Sequence, residues 1–81
     1  MNLPERGKFV EVLRQNSDND KRTHWCRGLI IGVGPGIVVE QGRKYTLGMN
    51  ELLVKLSNGH AAAETVMTIN RLHEGWRLMF R

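Results

Sequence analysis

Hydrophobic residues in this chain come in short runs broken by Gly, Asn, Asp and Pro, the pattern of brief strands joined by tight turns rather than of long amphipathic helices. After a leader, residues 1–7, Lys8 to Leu13 (Lys-Phe-Val-Glu-Val-Leu) is rich in β-formers and predicts a first strand. Residues 15–22 follow as a polar loop. Asn16-Ser17-Asp18-Asn19-Asp20, then Lys21 and Arg22, offer side-chain partners to the local backbone but no apolar anchor, so this loop is expected to be mobile. Trp25 to Val33 predicts a second strand centred on Leu29, Ile30 and Ile31, and Gly32-Val33-Gly34-Pro35-Gly36 then bends the chain. Ile37 to Val39 resumes it, Gln41-Gly42 turns, and Tyr45 to Leu47 runs back. Leu52 to Leu56 places Leu52, Val54 and Leu56 on one face and Leu53 and Lys55 on the other.

Asn58-Gly59 is a two-residue hairpin signal, since both central residues of such a turn need positive φ. Beyond it the pattern is divided. Ala61, Ala62, Ala63 and Glu64 favour helix, with Val66, Ile69 and Leu72 at helical spacing; Thr65, Val66, Thr68 and Ile69 are β-branched and favour a return strand. Strand is the preferred reading, with a short helix at 61–72 as the alternative. His73-Glu74-Gly75 turns into a last strand in which Trp76, Leu78 and Phe80 alternate with Arg77, Met79 and Arg81.

These elements predict a mainly β, single-domain fold over residues 1–81: a small five- to six-stranded barrel of the SH3-like or OB-like type, closed so that no strand edge is left bare. The expected core is Val10, Val12, Leu29, Ile31, Val33, Ile37, Val39, Leu52, Val54, Leu56, Trp76, Leu78 and Phe80. Composition agrees with a folded domain, because Leu, Ile, Val and Phe make up 22 of the 81 residues. One cysteine, Cys26, excludes an intrachain disulfide. With no apolar run of membrane-spanning length and no apolar signal core at the start, the expectation is a cytoplasmic protein without a membrane partner.

Charge narrows the partners. Twelve Lys and Arg against eight Asp and Glu give +4, and the excess is spread along the chain, so a basic surface has to be assembled by folding. Exposed aromatics with Arg and Lys on a sheet suit nucleic acid, the rings stacking on bases and the cations tracking phosphates. Trp25, Arg27, Arg43, Lys44, Tyr45, Lys55, Arg77, Met79 and Arg81 are the candidate contact residues. Arg and Met also suit a protein interface.

Other chemistry finds little footing. The glycine run at 32–36 lacks the third glycine of a dinucleotide fingerprint, where Ile37 stands, and the Gly-Lys-Ser/Thr end of a phosphate loop. His24 and Cys26 share a strand face, but with His60 and His73 scattered the spacing of a metal site is missing, and no metal or cofactor is implied. Ser17 and Ser57 lie in turns, no Cys-His or Ser-His pairing is suggested by proximity in sequence, and a barrel this small encloses little, so no enzyme is expected.

The run Arg27-Gly28-Leu29-Ile30-Ile31-Gly32-Val33-Gly34-Pro35-Gly36 resembles the co-chaperonin (GroES-like) barrel, in which a similar strand ends in Val-Gly-Pro-Gly or Val-Gly-Asn-Gly. Glu40-Gln41-Gly42 looks like that family's Glu-Asn-Gly, and Leu52-Leu53-Val54 falls where its next strand lies, so the resemblance covers about residues 27–56. It implies a β-barrel and a ring-forming oligomer. The chain departs from the pattern at the loop Asn16 to Arg22, which is short and polar where co-chaperonins carry an apolar docking tripeptide. It departs again at Asn50-Glu51, in place of Gly-Asp, and over Ala61 to Arg81. The expected function is therefore a small basic, non-enzymatic binding module contacting RNA or DNA through an Arg-rich face. The alternative is a protein-binding or assembly module: a phage- or plasmid-type inhibitor or connector, or a co-chaperonin-like homo-oligomer subunit with an acidic protein as partner.

Overall fold

The computed structural model describes residues 3–17, 19–57 and 65–79. Seven strands follow in order: β1 (Phe9–Gln15), β2 (Thr23–Val33), β3 (Gly36–Glu40), β4 (Arg43–Leu47), β5 (Glu51–Leu56), β6 (Thr65–Asn70) and β7 (Trp76–Leu78). There is no helix among the described residues, and none of them forms a helix long and apolar enough to cross a membrane. The fold is mainly β, as the periodicity predicts. Five strands make one antiparallel sheet in the order β6-β5-β2-β1-β7, and β3 and β4 make a separate hairpin.

The divided segment resolves to strand where it is described. Thr65–Asn70 pairs antiparallel with β5, Glu51 opposite Asn70 and Leu56 opposite Thr65, so pairing to a buried neighbour overrides local helix preference. Asn58-Gly59 and Ala61 to Glu64 lie outside the described residues. Leu72 is in the turn before β7 and exposed, so it belongs to neither element.

One face of the five-stranded sheet carries the core. Val10, Val12, Ile30, Leu52, Val54, Leu56 and Ile69 are buried together, with Cys26, Met67, Trp76 and Leu78 packed against them. No closed barrel forms among the described residues, since β6 and β7 stay the two edges of an open sheet. The sheet is nonetheless curled. A flat five-stranded sheet spans roughly 19 Å from edge to edge, close to the full reach of the connection between β6 and β7, about 20 Å. That connection is not extended: the His73 N–H donates to the Asn70 carbonyl at 3.0 Å and the Trp76 indole N–H donates to the Arg71 carbonyl at 3.2 Å. The connection from β6 to β7 thus folds back on itself, and the two edges stay unpaired among the described residues.

Several expected core positions are corrected. In β2 the inward residue is Ile30; Leu29 and Ile31 are half-buried, and Val33 is 37% exposed at the strand end. Two features set this phase. Gly28 sits inward opposite Val10 and Leu56, and a Cβ there would overlap Val54 Cγ1, so only a glycine lets β2 lie this close to β5. The pairing then slips between Ile30 and Gly32, leaving Ile31 as the extra residue of a bulge. Ile37 and Val39, expected inside, point outward from β3 and are 66% and 60% exposed. Leu47, Leu53 and Ile69 are buried instead. Phe80 lies outside the described residues.

The β3–β4 hairpin covers part of the outer face. Its turn is Gln41-Gly42, both at positive φ (51° and 77°), the two-residue geometry whose twist matches the strands it joins. Val38 packs over Gly32, and Lys55 reaches Glu40 at 3.4 Å. The glycine-rich run is a bend: β2 ends at Val33, the Gly34–Pro35 peptide is cis, and Gly36 opens β3.

Candidate binding face

Residues paired across antiparallel strands share a face, so the register of β7, β1 and β2 defines a patch on the outer side of the sheet. Arg77, Glu11 and Arg27 form its middle row, with Glu11 directly opposite both arginines. On one side Leu13 lies opposite Trp25, and on the other Phe9 lies opposite Leu29. The Met79 N–H donates to the Phe9 carbonyl at 3.0 Å and continues the β1–β7 ladder past Leu78. The result is a charged row between two apolar rows.

The row is internally tied. Arg77 Nε donates to Glu11 Oε1 at 3.0 Å, and the Arg77 guanidinium carbon lies 3.9 Å from the centre of the Trp25 ring. The ion pair is partly exposed and contributes at most about 1 kcal/mol; the cation–π contact adds about 0.5–1 kcal/mol. Their larger effect is positional, because Arg77 holds the indole in place across β1. Phe9, Leu13 and Trp25 remain 47%, 39% and 38% exposed, more apolar surface than a sheet face left to water needs. Beside β7 this face runs into an open depression of ≈ 620 Å³, lined by Glu11, Trp76, Arg77, Leu78 and Met79.

The predicted contact residues divide into two groups. Trp25, Arg27, Arg77 and Met79 come together here. Lys55 lies opposite Leu29 on the same sheet but is paired with Glu40. Arg43, Lys44 and Tyr45 belong to β4 on the separate hairpin; the first two are exposed, and Tyr45 is half-buried opposite Val38. Arg81 lies outside the described residues. Sequence reading missed Phe9, Glu11 and Leu13. The signal was present, since alternation in Lys8 to Leu13 sets these three opposite Val10 and Val12, but one strand alone does not reveal which neighbours they meet.

Comparison of the chain with known protein families, curated proteins and solved structures returned no match.

Proposed function

We propose that this chain is a small, non-enzymatic binding module whose outer β7–β1–β2 face docks an acidic protein segment. The observation that carries this is the exposure of Phe9, Leu13 and Trp25 around a row in which two arginines flank a single glutamate. Trp, Arg, Phe and Met are the residue types that dominate protein interfaces. The two arginines outweigh Glu11 and select for an acidic partner, while the apolar rows supply contact area.

Nucleic acid is the second reading. It is favoured by Arg27, Arg43 and Lys44, exposed and without an ion pair among the described residues. It is disfavoured on the β7–β1–β2 face, where Arg77 already covers one face of the Trp25 ring, the side chain that would stack on a base. A partly closed barrel of the SH3-like or OB-like kind suits either partner. The ring assembly implied by the co-chaperonin resemblance is a separate reading, since a second copy of this chain carries +4 and is not an acidic partner.

The test is titration with acidic, aromatic-containing peptides and with single- and double-stranded oligonucleotides at two salt concentrations. Protein docking predicts peptide binding that weakens only modestly with salt, because the apolar rows supply most of the contact, and is lost in Trp25→Ala. Phosphate binding predicts a steep log–log salt slope that falls by roughly 1 for each contact removed, as in Arg43→Ala with Lys44→Ala. No binding of either probe at low salt rejects both readings.

A further inference from the structure

The loop between β1 and β2 and the adjoining strand ends bring Asn16 to His24 and Cys26, which share a face of β2. Cys26 Sγ lies 3.0 Å from His24 Nε2, and His24 Nδ1 lies 2.5 Å from Asn16 Oδ1. Asn16 Nδ2 in turn donates to Asp20 Oδ2 at 3.1 Å, and Asp20 is gripped by Arg22 through two side-chain hydrogen bonds of 2.9 Å and a backbone one of 3.0 Å. His24 and Cys26 are two residues apart on β2 and so share a face, while the Asn16 N–H donates to the Arg22 carbonyl and closes the loop beneath them.

The order of these contacts fixes the protons. A carboxylate only accepts, so the Asn16 amide must turn its NH₂ toward Asp20 and its oxygen toward His24. An amide oxygen only accepts, so His24 carries its proton on Nδ1. In the neutral ring Nε2 is then the acceptor, and it faces the Cys26 thiol. A nucleophile, a base within hydrogen-bond reach and a third group that orients the base are the parts from which activated thiols are built. Among the described residues no group of three His, Cys, Asp or Glu side chains is placed to hold a metal ion, which leaves the thiol itself as the reactive element.

We propose that Cys26 is a histidine-activated thiol and a modification site for small disulfides. The Cys26 proton passes to His24 Nε2. The thiolate attacks one sulfur of the disulfide, a new S–S bond to Cys26 forms, and the old S–S bond breaks. The departing thiolate takes up a proton, so that one thiol and one disulfide are consumed and one of each is produced. The charged neighbours are Arg14, opposite His24 on β1, and Asp20 and Arg22 behind Asn16.

The experiment follows the release of a coloured thiolate from an aromatic disulfide as a function of pH, with free glutathione as reference. A free thiol ionises near pH 8.5, so at a pH about two units lower the native protein should react about tenfold faster than glutathione. His24→Gln should remove this advantage with an unchanged circular dichroism spectrum, and Asn16→Ala should reduce it. A native thiol slower than glutathione at that pH, or a rate unchanged in His24→Gln, overturns the proposal. The wild-type rate relative to glutathione tests it without any variant.

Discussion

Single atoms decide how closely the strands approach. Gly28 is the clearest case, since a methyl group there meets the Val54 side chain, which is fully buried and has nowhere to move. Gly28→Ala should destabilise the domain by about 1–3 kcal/mol through overpacking, read as a lower urea midpoint with an unchanged slope. Asp20 makes a second prediction at this scale. Its carboxyl is held well below the ordinary value by the Arg22 side chain first, then by Asn16 and the Arg22 backbone N–H. A depressed carboxylate pKa stabilises the folded state at pH values above the unfolded pKa of about 3.9, and that contribution is lost as pH falls through the folded value. The Asp20 carboxyl carbon resonance should therefore titrate below the ordinary carboxylate range. In Arg22→Ala it should move back up.

Among the elements, the β3–β4 hairpin and the β1–β2 loop are the most sharply specified locally. Gln41 adopts a positive φ that Asn tolerates better, so Gln41→Asn should stabilise the hairpin by a few tenths of a kcal/mol. Gly42→Val, at φ 77°, should cost about 1–3 kcal/mol in backbone strain. Thermal melts of the two variants should move in opposite directions. In the loop, Asn16 to Arg22 is tied by polar contacts and holds no apolar side chain. Exposed hydrogen bonds open easily, so its amides should exchange faster than those of Leu29 to Ile31 in the sheet centre.

The whole molecule depends on one five-stranded sheet burying its apolar face. Trp76 acts at the β7 edge of that sheet, pairing beside Val12 and donating its indole N–H to the Arg71 carbonyl. Trp76→Phe keeps an aromatic ring but loses the indole hydrogen bond and part of the packing, which should cost about 1–2 kcal/mol. Trp76→Ala also loses the packing against the core and should cost about 3–5 kcal/mol, enough to unfold a domain of this size. Chemical denaturation followed by circular dichroism separates the two. Neither variant touches the Phe9, Leu13 and Trp25 rows, so Trp76→Phe should retain partner binding.

The alternating and turn-flanked runs were enough to read the strand character of β1, β2, β5 and β7, the turns at Gln41-Gly42 and His73 to Gly75, and the inward residues Val10, Val12, Leu52, Val54 and Leu56. Period and turn chemistry are local properties, and each is written in a few adjacent residues. The phase of β2 was not legible, because Leu29, Ile30 and Ile31 are equally apolar, and only the Gly28–Val54 approach and the bulge at Ile31 select Ile30. Nor was the outward turn of Ile37 and Val39, which follows from Val38 packing on Gly32. The same holds for both clusters of chemistry. Residue types alone marked Trp25, Arg27, Arg77 and Cys26, but Glu11 meets Arg77, and Asn16 meets His24, only through pairing across strands. Sequence distance carries no information about such meetings; the register of β1 against β2 and β7 creates them.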